Sequence, residues 1–277
     1  MGRSIVFYNA LMRLWPLGKL VYWLGSRPLV GPLLTPFFGA LDAEATIIPV
    51  QEAVSGGENV ALPYHLLVSI VDRASHRFLM NECLCRRGEG CQTYPHDLGC
   101  LFLGDAVTQI NPVHGRLVET DEVLAHMQRA VDLGLVPLVV HSRFDAWSLG
   151  IPYRQMLGIC FCCDCCCAVR QGLRLGPPAF WEAVTRLPGL VLEVSDACVS
   201  CGKCADVCYV QAVAFDNGQA TIDMTRCKGC GRCIAVCPTG AIGLHMDERV
   251  DSLGRIMARI DGRTSIGRPA LEPLDLR

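Results

Sequence analysis

Eight cysteines carry the clearest chemistry in the chain. Cys198, Cys201, Cys204 and Cys208 are followed by Cys227, Cys230, Cys233, Cys237 and Pro238, so C-x2-C-x2-C-x3-C is written twice. Three thiolates on one tight loop can cap three corners of a cube, while a fourth, starting a helix turn later, points elsewhere. The spacing reads as two cubane iron–sulfur clusters. Zinc ribbons also use C-x2-C pairs, but a third and fourth cysteine would crowd a tetrahedral ion and leave thiolates over. Disulfides fit less well, because neighbouring cysteines in one turn lack the Cα separation and direction that a bridge needs.

In this doubled motif the sequence resembles the two-cluster bacterial-type ferredoxins, in which the fourth Cys of each run ligates the other cluster. The resemblance implies two [4Fe-4S] clusters, one on Cys198, Cys201, Cys204 and Cys237 and the other on Cys227, Cys230, Cys233 and Cys208. Tyr209 stands where the first repeat of that family usually has Pro.

Ten more cysteines lie upstream. Cys83, Cys85, Cys91 and Cys100 are spaced C-x-C-x5-C-x8-C beside Arg86 and Arg87. Four thiols next to two guanidinium groups form an electropositive pocket that favours deprotonated sulfur. The third group, Cys160, Cys162, Cys163, Cys165, Cys166 and Cys167, cannot all ligate one cubane, because successive residues point in different directions. Burial as small hydrophobes is the plainer alternative, and the clustering weakens it. All ten are candidate ligands of a further metal site whose ligand subset is open: an iron–sulfur cluster completed from two segments first, then thiol redox chemistry, then zinc. With the downstream motif, these segments resemble a group of 4Fe-4S ferredoxin-type proteins from anaerobes over residues 41–244. That likeness supports metal binding and redox and transfers no firm activity.

Length and composition bound what can position these thiols. A chain of 277 residues, 51% hydrophobic and 19% charged, is long enough for two domains and can bury a full core. A net charge of -2 gives no electrostatic case for nucleic acid. Eighteen cysteines with no convincing secretory signal favour a reducing cytoplasm, and exposed cubanes an anaerobic one.

Residues 1–41 form a basic apolar arm, with Arg3, Arg13, Lys19 and Arg27 and no Asp or Glu. A spanning helix needs about 20 mostly apolar residues, and Arg13, Pro16, Lys19 and Arg27 interrupt this one. Packing on the protein's own core or on a partner subunit is the first expectation. Peripheral contact with a membrane on the cytoplasmic face is the second. Val6 occupies the position where a myristoylation motif needs Ser or Thr.

Apolar periodicity predicts a helix over 64–74 after Pro63 and a short strand at 78–80. Thr120 reads as the N-cap of a helix that Gly134 stops, with Asp121 and Glu122 in its first turn. The strand at 135–140 is expected near a sheet edge, because Pro137 cannot donate to a ladder. His126 and His141 read as structural or solvent-facing and not as ligands, since no second His or carboxylate sits at ligand spacing. A helix is expected over 179–187, then the Pro188-Gly189 boundary and a strand at 190–194. Strands at 212–215 and 220–223 flank Asp216-Asn217-Gly218, a hairpin turn. Val250, Leu253, Ile256, Met257 and Ile260 mark an amphipathic helix, and the tail with Pro269 and Pro273 is expected to be loose.

The fold class is therefore α+β: a basic arm (1–41), a Cys-rich mixed α/β domain (42–188), a ferredoxin-like domain of pseudo-twofold βαββαβ order (189–245), and a C-terminal helix and tail (246–277). The first functional expectation is an electron-transfer protein, passing single electrons between a redox partner protein and a further metal site. The alternative is a redox enzyme or maturation factor whose active centre is the 160–167 knot. No G-x-G-x-x-G loop, P-loop or C-x3-C-x2-C triplet supports a nucleotide cofactor or radical chemistry.

Overall fold

The computed structural model describes residues 2–49 and 61–267. The tail carrying Pro269 and Pro273 lies outside the described residues. Three helices form the arm: α1 (Ile5–Leu14), capped by the Ser4 hydroxyl, α2 (Leu17–Gly25) and α3 (Gly31–Ala40). There follow β1 (Glu44–Ile47), α4 (Ala61–Arg73), β2 (Arg77–Met80), α5 (Leu84–Glu89), β3 (Leu101–Leu103), β4 (Gly115–Leu117), α6 (Thr120–Asp132), β5 (Val136–His141), α7 (Arg143–Leu149), β6 (Leu157–Cys162), α8 (Ala168–Leu175), α9 (Pro178–Ala183) and β7 (Val184–Arg186).

Seven strands make one sheet in the order β4-β2-β3-β6-β5-β1-β7. Only the β1–β7 pairing is parallel. Side chains alternate across it, as the two-residue strand period requires. Leu79, Leu101, Leu103, Val139 and Ile159 face a core shared with α4 and α6, while Phe78, Met80 and Phe102 face the opposite layer with Tyr8 of α1 and Leu149 of α7. With both faces covered, every residue of β5 is buried.

Four expectations are corrected. β5 is an interior strand between β6 and β1, not an edge. Pro137 is tolerated because the β1 ladder ends opposite it, where Ile48 N–H donates to the Pro137 carbonyl. The N-cap of α6 is Glu119, and Thr120 is already helical. The helix expected over 179–187 ends at Ala183, because 184–186 extend as β7 beside β1. Pro63 lies inside the first turn of α4, where its missing N–H has no intrahelical acceptor to lose.

Past the Pro188-Gly189 turn come β8 (Leu190–Val194), α10 (Lys203–Asp206), β9 (Val213–Asp216), β10 (Gln219–Ile222), α11 (Arg232–Ala235), β11 (Ile242–Met246) and α12 (Ser252–Asp261). β8 pairs antiparallel with β11, and β9 with β10. Asp216 faces Gln219, so the hairpin loop is Asn217-Gly218, with φ of 49° and 81°. Two left-handed residues are what the tight hairpin turn demands.

The chain then returns to the seven-stranded sheet. Ile256 and Ile260 of α12 are buried, Arg259 pairs with Glu44, and Arg73 with Asp261. Ser75 N–H donates to the Ile266 carbonyl at 2.7 Å.

The arm lies on the domain by one face. Arg3 N–H donates to Leu149 O at 2.9 Å, the Tyr8 ring sits 4.8 Å from that of His114, and Phe7 meets Trp147 edge-on. Its other face is apolar and open: Val6, Leu29 and Leu33 are 74%, 89% and 78% exposed. No helix among the described residues is long and apolar enough to cross a membrane.

Candidate metal centres

The two loops between β8 and β11 share one backbone. Ser200 and Gly229, Gly202 and Gly231, and Gln211 and Gly240 hold equivalent places in the two repeats, and all six have positive φ. Left-handed residues bend the chain back on itself, which gathers successive cysteines around one centre. The sulfur bonding repeats too: Ala212 N–H donates to Cys208 Sγ, and Ala241 N–H to Cys237 Sγ, each at 3.2 Å.

Cys198, Cys201, Cys204 and Cys237 line one small cavity with Phe215, Ala220 and Ile242. In the second repeat, burial pushes the Cys233 thiol up to about 12, and Cys230, Cys227 and Cys208 raise it further by their proximity. Burial also raises Cys227 and Cys230. At Cys237, hydrogen bonds from Thr239 and backbone amides overcome burial and lower the thiol. Thiols placed this way, under directed N–H groups, fit thiolate ligation of iron–sulfur clusters, because those bonds offset charge on sulfur. None of the eighteen cysteines is joined in a disulfide.

The upstream cysteines separate into two groups. Cys91 comes together with Cys163, Cys165 and Cys166, all four sulfurs lying within 4.8 Å of one another. The other six form a chain of contacts deeper in the domain. Hydrogen bonds from Cys100 and Cys85 hold Cys83 well below the usual thiol range, helped by the charge of Arg86. Cys100 is raised by its bonds to Cys160 and Cys83, and Cys162 and Cys167 touch at 2.9 Å. The two arginines differ from the expected pair. Arg86 is fully buried and donates to the Phe161 and Leu98 carbonyls, whereas Arg87 turns away to Glu82 and Asn9.

The second repeat and the knot meet. Cys162, Cys163, Cys167 and Cys230 border one cavity with Tyr209 and Arg232, and Arg170 lies over the Tyr209 ring. His126 and His141 bond through Nε2 to the Gly99 and Tyr153 carbonyls, and burial lowers both imidazoles.

Asp145 was not legible in the sequence. A cavity of about 280 Å³ lies between the arm and the sheet, walled by Trp15, Tyr22, Phe38 and Phe180, and Cys85, Cys100 and Cys160 reach it. Asp145 also lines it, and burial pushes its carboxyl up to about 7. An acid in the first turn of a helix after a Ser cap is ordinary sequence, so nothing marks this one.

Residues 197–241 match a family described as a 4Fe-4S dicluster domain. No curated protein matches the chain. The chain therefore carries an iron–sulfur, ferredoxin-like domain over this stretch.

Proposed function

We propose that the protein is an iron–sulfur electron carrier. Its ferredoxin-type module holds two [4Fe-4S] clusters, on Cys198, Cys201, Cys204 and Cys237 and on Cys227, Cys230, Cys233 and Cys208. The observation that carries this reading is the repeated loop: equivalent left-handed residues and equivalent N–H to sulfur bonds around two sets of cysteines. Clusters supply single-electron chemistry when bound, and the protein supplies position, dielectric and hydrogen bonds that set potential. Single electrons pass between redox partner proteins through the two clusters, and the thiol-rich domain, whose knot borders Cys230, walls the second cluster's site.

Iron and acid-labile sulfide per chain, measured on anaerobically purified protein with EPR before and after dithionite, test it. About eight irons with two interacting cubane signals are expected in the module. Fewer than about four irons after reconstitution would sink the reading.

A second reading, of a redox enzyme, is favoured by the apolar cavity. It gives a small apolar molecule access to Cys85, Cys100 and Cys160 beside Asp145, the combination of apolar walls and few polar groups typical of ligand sites. Peripheral membrane contact is favoured by the open apolar face of α1–α3, whose arm carries four basic and no acidic residues. Such a face suits an anionic membrane surface.

A further inference from the structure

Cys91 lies in the loop after α5, whereas Cys163, Cys165 and Cys166 lie in the turn after β6. Two of their sulfur contacts, Cys91 to Cys165 and Cys165 to Cys166, are 3.5 Å. Four thiolates bound to one tetrahedral ion at about 2.3 Å lie about 3.8 Å from each other. Cysteines that cap a cubane stand further apart, since each binds a different corner iron. The ferredoxin-type repeats supply the comparison within the same molecule. Among the described residues, no three of their eight cysteines bring their sulfurs within 4.8 Å of one another, and this quartet does.

We propose that Cys91, Cys163, Cys165 and Cys166 hold a single tetrahedral Zn²⁺ ion in place of a third cluster. This goes beyond the preceding reading, which assigns no metal to these four cysteines, and stands independently of it. Four sulfur donors in tetrahedral reach suit zinc, and four protein ligands make a closed, structural site. The knot explains the choice of donors. Cys160 and Cys162 alternate with buried Phe161 along β6; Cys160 lines the arm-side cavity, and Cys162 is engaged with Cys167. Cys163, Cys165 and Cys166 are left to turn towards Cys91, and Cys166 N–H donates to Cys163 Sγ at 3.2 Å, a bond that steadies a ligating sulfur. The ion would staple two segments far apart in sequence. Asp164, between two of its ligands, reaches Arg232 at 2.8 Å, so the staple also braces the wall against which the second repeat rests.

The test is metal analysis of the full chain, purified anaerobically, as wild type and as Cys165→Ser and Cys163→Ser. The expected result is one zinc per chain beside the iron of the repeats, with zinc lost in both variants while iron, sulfide and EPR signals persist. Co²⁺ exchanged into the zinc site should give the intense visible bands of tetrahedral thiolate coordination, absent from Cys165→Ser. Zinc retained in both variants would overturn the proposal. So would about four extra irons and no zinc, which would indicate a third cubane, or one extra iron and no zinc. Loss of iron from the wild type with zinc intact would instead sink the electron-carrier reading and leave this one standing.

Discussion

Arg232 and Asp164 meet at 2.8 Å across the junction between the second cysteine repeat and the thiol knot. Arg232 also donates to the Gly134 carbonyl, and its side chain is 14% exposed against 40% for Asp164. Arg232→Met should therefore cost more stability than Asp164→Asn. A double-mutant cycle by denaturation should give a coupling of about 1 kcal/mol or less for so exposed a carboxylate. Because Arg232 stands between Cys230 and Cys233, losing its charge should also make the nearby cluster harder to reduce. A redox titration showing an unchanged or higher potential would contradict this.

Arg86 is the largest buried commitment in the cysteine domain. It ties α5 to β6 through Phe161 and to the loop at Leu98, and its charge faces Cys83, Cys100, Cys163 and Cys162. Arg86→Met leaves two buried carbonyls unpaired, at about 1–3 kcal/mol each. Anaerobic denaturation should show a loss of about 2–6 kcal/mol for the two together. Arg87→Met removes a guanidinium that is partly exposed beside Glu82 and Asn9, and should cost less.

Gly229 has φ of 69°, and an added Cβ would lie 2.5 Å from Leu190 Cδ2 and 2.7 Å from Arg186 Cγ. Gly229→Ala should destabilise by more than about 1 kcal/mol and lower iron retention. At Gly202 a Cβ meets open space, so Gly202→Ala incurs the backbone strain alone and should retain more iron. Equal iron loss in the two variants would contradict the packing argument.

Burial raises the Asp145 carboxyl to about 7 in the folded protein, above its ordinary value in the unfolded chain. Between those values the folded state binds the extra proton, so stability falls as pH rises through about 4 to 7. The penalty is fully present above that window and absent below it. Asp145→Asn should therefore match wild type near pH 4 and exceed it in stability above pH 7, removing a slope of up to about 1.4 kcal/mol per pH unit. Denaturation midpoints across this range provide the measurement.

Leu17 and Leu20 of α2 are 54% and 50% exposed. Leu17→Glu with Leu20→Glu should abolish co-sedimentation with anionic vesicles and leave iron content intact. Vesicle binding unchanged by the double substitution would place membrane contact elsewhere.

The parts of this architecture set by local chemistry were readable in the sequence. Asn217-Gly218 announced its hairpin because few other dipeptides accept two left-handed residues, and Gly134 announced the end of α6. The expectations that failed depended on partners. Pro137 argued for an edge strand, yet it sits opposite the end of β1, and only the pairing register of a distant segment reveals that. Val184 continued an apolar helical pattern until β1 offered it a parallel neighbour. The same limit applied to the thiols: which of the ten upstream cysteines meet depends on Cys91 arriving from a loop well before the knot, and spacing alone has no access to that.

The segment carrying the repeats leaves the seven-stranded sheet at β7 and returns to it through α12, where Arg259 and Arg263 pair with Glu44 on β1. A module fastened at both ends has no tether on which to swing. Electron exchange between the clusters of its two repeats would then cross a fixed gap instead of waiting for diffusion. Its rate should be insensitive to solvent viscosity, unlike that of a carrier that must dock and release. Association with an external partner would be the only diffusive step in the chain of transfer.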